Sequence, residues 1–217
     1  VLNCSLNSLT ARSATAFAWG PCAGGHLTRI PCLATALQCS QLRRAPTRRR
    51  TAVQVDYIPF YDEKDPNSLK NTLKELKVIL KKYPQKHAVM IAELVQGEGG
   101  YYPGNKAFFE GLFRELKKQG ITIIIDEIQT FGRTRELFAF QTFGLKKFCD
   151  IVTIGKLSQV CATLFTKNYK PKPGLISQTF TSSSSAIESA LCLLEMINAK
   201  IILGKNGKLV EISTLFR

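Results

Sequence analysis

"ITIIIDEIQTFGRT" runs from residue 121 to residue 134, and "DIVTIGK" from 150 to 156. The first string opens on the β-branched run Ile121 to Ile125 and then breaks into Asp126-Glu127. β-Branched side chains are stiff and pack well on a pleated surface, so an unbroken run of them predicts a strand buried on both faces. The second string repeats the pattern. Ile151 to Ile154 reads as a short strand that runs directly into Gly155-Lys156. Upstream, Ala88 to Ala92 is another apolar run; it ends in Glu93, and a Gly-rich loop from Gly97 to Gly104 follows, carrying Glu98. Short strands are also expected around Val53 to Ile58 and from Cys161 to Phe165.

Helices are expected between these strands. Asp65-Pro66-Asn67 is a helix-start signal, and Leu69, Leu73, Leu76, Leu80 and Tyr83 then recur at helical spacing, with Lys70, Lys74, Lys77 and Lys81 opposite. Such a lysine face is either solvated or a phosphate-binding surface. Pro84 ends this helix. A second amphipathic stretch carries Phe108, Phe109, Leu112, Phe113 and Leu116, and Gly120 terminates it. A third, from about Ser184 to Ile197, is expected to bury Ile187, Leu191, Leu194 and Ile197. Strands alternating with helices predict an α/β fold with crossover connections. Sites in such sheets lie beyond the carboxyl ends of strands, which makes Glu93, Asp126 and Lys156 candidates for one shared cleft. Strand ends also carry polar residues simply because they meet solvent. Three chemistry-bearing ends after the most apolar strands of the chain favour a site.

The ordered series "AELVQGEGGYYP" (92–103), "ITIIIDEIQTFGRT", "FGL" (143–145) and "DIVTIGK" resembles the signature region of class III aminotransferases, over roughly residues 53 to 212. That family includes acetylornithine, ornithine, 4-aminobutyrate and lysine 6-aminotransferases. The resemblance implies part of a fold-type I PLP-dependent transferase large domain, a mostly parallel sheet between helices, over residues 52–217. It implies pyridoxal 5'-phosphate (PLP) as cofactor and a homodimer. Lys156 resembles the lysine that holds the cofactor through its aldehyde and carries a proton once substrate has displaced it. Asp126 resembles the carboxylate that pairs with the pyridine nitrogen. Gln129 and Glu93 resemble residues near the phenolic oxygen of the ring. Glu98 resembles a substrate-gating glutamate that pairs with a distant arginine. Thr179 resembles the threonine that reaches the cofactor phosphate of the partner subunit. Thr181 and the run Ser182 to Ser185 replace the usual Gly-Gly-Asn-Pro there, and the serines also read as a helix N-cap region. Leu157-Ser158-Gln159-Val160-Cys161, after the lysine, is similar to lysine 6-aminotransferases. This implies an ω-amino or diamino acid donor and a 2-oxo acid acceptor such as 2-oxoglutarate.

Two family segments have no counterpart: the upstream Gly-Ser/Thr-x-Ala-x-Glu phosphate-binding segment and the downstream small domain with its substrate-binding arginine. The chain is therefore expected to be a fragment of such an enzyme, with a non-catalytic remnant as the alternative. Residues 1–50 hold seven Arg, no Lys and no acidic residue, half of the formal net charge of +14. Residues 1–51 are expected to be an atypical, mostly disordered segment. They read as an organelle transit peptide, as a nucleic-acid-binding tail through Arg43-Arg44 and Arg48-Arg49-Arg50, or as the product of a truncated or shifted reading frame. Phe17 and Trp19 are the sole aromatics there, which offers little for base stacking. The expected compartment is cytoplasmic, or mitochondrial if the transit reading holds. The seven cysteines include no C-x-x-C pair, so neither a zinc site nor a disulfide framework is expected. Cys149, Cys161 and Cys192 are expected to be small buried residues. No stretch is apolar for long enough to span a bilayer as a helix.

Overall fold

The computed structural model describes residues 15–19, 54–173, 183–204 and 206–215. Six strands form one sheet: β1 (Thr15–Trp19), β2 (Gln54–Ile58), β3 (His87–Glu93), β6 (Thr122–Asp126), β7 (Ile151–Ile154) and β8 (Ala162–Phe165). Their spatial order is β2-β1-β3-β6-β7-β8. All neighbours run parallel except β7 and β8. A small antiparallel ribbon, β4 (Val95–Gln96) with β5 (Tyr102–Pro103), stands apart from the sheet. The helices are α1 (Ser68–Lys82), α2 (Lys106–Lys118), the short α3 (Ala139–Thr142), α4 (Ser184–Asn198) and α5 (Lys208–Leu215). None among the described residues is long and apolar enough to cross a membrane.

The strands and helices fall close to where periodicity puts them. In α1 the leucine stripe turns inward on Leu76, while Lys70, Lys74, Lys77 and Lys81 lie exposed. α2 starts at Asn105, whose side-chain oxygen accepts from the backbone N–H groups of Ala107 (2.8 Å) and Phe108 (3.4 Å). This satisfies donors that the first helical turn leaves unpaired. The helix stops where Gly120 takes φ +69°, a left-handed conformation that costs a residue without a Cβ nothing.

One face of the sheet and these two helices enclose the main core. Met90, Ala92, Ile123 and Ile125 point from β3 and β6 into Leu76, Phe109, Leu112, Phe113 and Leu116. Phe109 is fully buried and its ring centroid lies 5.6–6.0 Å from those of Phe60, Phe108, Phe113 and Phe143. The opposite face holds a smaller apolar cluster, Val89 and Ile124 with Ile91 and Ile151. Asp150, just before β7, ties the starts of β7 and β6 together and to α2. Its carboxylate accepts from the Ile123 backbone N–H at 2.8 Å and from the Lys117 ammonium at the end of α2.

Three expectations need correction. β1 comes from within the segment expected to lack structure and sits between β2 and β3. A five-residue strand with alternating alanines carries no local signal, so its state is decided by the strands it pairs with. The rest of residues 1–51 lies outside the described residues. Second, α4 forms as expected, but Ile187, Leu191 and Leu194 are exposed and Ala190 alone is buried. Periodicity predicts a helix with an apolar stripe; burial also needs an element packed over that stripe, and the described residues place none there. Third, Cys161 and Cys192 are exposed and Cys149 is half-buried. Burial, helped by the neighbouring Asp150 charge, pushes the Cys149 thiol up to about 12, so it stays protonated and inert at neutral pH.

Truncating Phe109 to Ala removes the ring against which Phe60, Phe108, Phe113 and Phe143 pack. It is expected to cost about 3–5 kcal/mol in a urea melt. A loss below about 1 kcal/mol, the range of volume-conserving swaps, would contradict a core organised around this side chain.

Candidate active site

The parallel register brings three strand ends into one row. Glu93, the last residue of β3, is the register partner of Asp126, the last residue of β6. Asp126 is in turn the partner of Thr153 on β7. Lys156 follows three residues later, in a 3-10 turn (Lys156–Ser158) with φ +52°. A side chain in that left-handed region costs roughly 1–2 kcal/mol, and non-glycine residues held there cluster at functional sites.

Asp126 is half-buried. One oxygen accepts the Ile128 backbone N–H at 3.0 Å. Burial raises its pKa above the usual 3.8, opposed by that hydrogen bond, by the Thr153 hydroxyl and by the positive charge of Lys156. The Thr153 hydroxyl is buried close by yet makes no hydrogen bond of standard geometry. Asp126 is therefore a carboxyl group held in a partly dry place, its charged form favoured by the Ile128 N–H, the Thr153 hydroxyl and the Lys156 charge.

The β4–β5 ribbon carries Glu98 over this edge. Its carboxylate lies 3.8 Å from the Lys156 ammonium and accepts from the Gln129 amide at 3.3 Å. Arg133 donates to the Gln129 side-chain oxygen and to its backbone oxygen, each at 3.3 Å. Glu93 accepts the Gly97 backbone N–H at 2.8 Å and so ties the end of β3 to the start of the glycine loop. Gly97 itself has no room for a side chain, because a Cβ there would come within 2.6 Å of the Gln129 side chain. Glu93, Glu98, Asp126, Gln129 and Lys156 thus gather at one edge of the sheet. Thr179 and the serine at 182 lie outside the described residues; Ser183 is the N-cap of α4, accepting from the Ala186 N–H at 3.2 Å.

Thr153 and Glu127 had no assigned role in the sequence. Thr153 becomes visible as a neighbour of Asp126 once the β6–β7 register is known. Glu127 is fully buried, with its carboxylate turned away from the cleft. It accepts the Thr130 hydroxyl, the Ala139 backbone N–H at 2.9 Å and the Phe140 backbone N–H at 2.8 Å.

The aminotransferase class-III family model matches residues 28–210. The chain belongs to the class III aminotransferases. It is 29% identical over 164 residues to an acetylornithine aminotransferase of Archaeoglobus fulgidus, 72% of this chain and 40% of that protein. A succinylornithine transaminase of Salmonella newport is 37% identical over 116 residues, 50% of this chain and 28% of that protein. Among solved structures, a lysine aminotransferase from M. tuberculosis superposes with a TM-score of 0.65 at 21% identity, covering 88% of this chain and 45% of that one. The fold is thus the large domain of the PLP-dependent transferases, in part. This class III chain spans less than half the length of these relatives.

The raised pKa of Asp126 has a sign that can be tested. Ionising a carboxyl whose folded-state pKa is raised costs stability above that pKa and nothing below the ordinary 3.8. Asp126→Asn keeps the acceptor for Ile128 and removes the buried charge. Its melting temperature is expected to exceed that of the wild type at pH 7, with the gap closing as the pH falls below 3.8. A variant less stable than wild type at pH 7 would contradict the desolvation of Asp126.

Proposed function

We propose that this chain is the cofactor-holding part of a PLP-dependent aminotransferase that moves an amino group from an ω-amino or diamino acid to a 2-oxo acid such as 2-oxoglutarate. The observation that carries the reading is the placement of Asp126 at the end of β6 and of Lys156 just past the end of β7, the neighbouring parallel strand. The side chains suit that cofactor. A half-buried carboxylate with one backbone donor is matched to a cationic ring nitrogen, and an exposed primary amine in the turn after the next strand is matched to an aldehyde. The buried Thr153 hydroxyl stands beside the same carboxylate and favours its charged form.

PLP, when bound, supplies an aldehyde that captures amines and a ring that draws electrons from the bond being broken. Everything else falls to the protein. Asp126 would keep a proton on the ring nitrogen by offering it a half-buried counter-charge. Lys156 Nζ would hold the cofactor and, once free of it, would be the base that carries a proton at the substrate carbon. Gln129 and Glu93 would border the phenolic side of the ring, and Glu98 would stand at the entrance. The 3.8 Å contact of Glu98 with Lys156 puts a carboxylate beside the amine, which fits a gating role. Thr179 would reach the phosphate of a neighbouring subunit's cofactor in a homodimer.

A second reading, a non-catalytic remnant, draws on one observation: the exposed Ile187, Leu191 and Leu194 on α4. Cofactor capture separates the two. Incubation with PLP followed by borohydride is expected to fix the cofactor on Lys156, as located by peptide mass mapping, and Lys156→Ala is expected to lose that adduct. An adduct spread evenly over surface lysines, unchanged in the variant, would favour the remnant.

A further inference from the structure

Asp126 and Glu127 are adjacent, yet they do opposite things. Asp126 faces the cleft, whereas Glu127 points into the protein and is fully buried. Its carboxylate gathers donors from distant points of one excursion of the chain: the Thr130 hydroxyl and the N–H groups of Ala139 and Phe140, twelve and thirteen residues on. Its backbone completes the knot. The Glu127 N–H donates to the Thr153 oxygen at 2.9 Å, and the Glu127 oxygen accepts from Thr130 (3.1 Å) and Phe131 (2.8 Å). The excursion so closed carries both Gln129 and Arg133. It also leans on the lysine-bearing turn: at Gly132 (φ +67°) a Cβ would come within 2.5 Å of the Leu157 side chain, next to Lys156. On its other side the Gln129 side chain lies against Gly97 and donates to Glu98.

We infer that Glu127 is a positioning residue for the site: through the closed loop 127–140 it sets Gln129 against Glu98 and braces the turn that presents Lys156. This rests on the aminotransferase reading for its consequence at Lys156, but not for the closure of the loop. A buried carboxylate is costly unless its lone pairs are met by donors, and here three donors converge on it. A carboxamide of the same shape cannot accept at all three places, because one of them becomes a donor facing a donor. Burial raises the pKa of Glu127, and the Thr130, Ala139 and Phe140 contacts oppose that rise. Those contacts therefore favour the ionised, acceptor-only form on which the closure depends.

The experiment compares wild type with Glu127→Gln and the milder Thr130→Val, which removes one donor and leaves the carboxylate. Hydrogen exchange reads the loop and the sheet separately, and PLP capture at Lys156, trapped with borohydride, reads the site. For Glu127→Gln the amides of Ala139 and Phe140 are expected to exchange at least about tenfold faster while those of β3 and β6 stay protected. Capture at Lys156 should slow by a comparable factor, the visible band of bound cofactor should move, and capture at surface lysines should not change. If Glu127→Gln also loses protection in the sheet, Thr130→Val carries the test, with faster loop exchange and slower Lys156 capture expected in an intact sheet. Unchanged loop exchange in the variant that keeps its sheet, or a loosened loop with capture and absorption band as in wild type, would overturn the inference. Wild type that captures no PLP at Lys156 would refute the proposed function; loop exchange in the variants then decides the closure by Glu127.

Discussion

The register of β3, β6 and β7 is the constraint on which the site depends. Strand side chains alternate between faces, so a slip of one residue would move Met90, Ala92, Ile123 and Ile125 out of the core and turn the strand-end residues to the wrong side. The core face prevents that slip. It is pinned at the other end by Asp150, which holds the Ile123 N–H and the α2 ammonium of Lys117 together. With the register fixed, Glu93, Asp126 and Thr153 have no choice but to stand in one row. The chemistry at the sheet edge is thus set by apolar packing well inside it.

Two consecutive carboxylates illustrate how environment divides labour. Glu127 is more deeply buried, but its charge is surrounded by donors and is spent on closing a loop. Asp126 is less buried, and its carboxylate accepts from one backbone N–H, that of Ile128. An anion that burial disfavours weakens the fold and is useful only toward something that brings its own positive charge. The left-handed backbone at Lys156 adds a further local cost at the same edge. Both costs fall on the two residues that the class III aminotransferase resemblance singles out, as expected where function is placed ahead of stability.

Much of this was legible in the sequence because it depends on local pattern. Runs such as Ile121 to Ile125 and the phenylalanine-rich stripe of α2 specify their own state, and the polar residues that interrupt them mark strand ends. Long-range pairing was not legible. β1 lacks a local signal, and its place between β2 and β3 depends on partners far along the chain. The apolar stripe on α4 was visible, but whether something covers it is a property of the surrounding structure. The roles of Thr153 and Glu127 depend on register and on hydrogen bonds to residues three to thirteen positions away, which spacing does not reveal.

The central claim is that Asp126 and Lys156 face one pyridine ring from neighbouring strands. Nitrogen-15 NMR of ring-labelled PLP bound to the protein tests it most directly. At neutral pH the ring nitrogen is predicted to be protonated in the wild type and to lose that proton in Asp126→Ala with Lys156 still carrying the cofactor. An unprotonated nitrogen in the wild type, or a signal indifferent to the loss of Asp126, would contradict it.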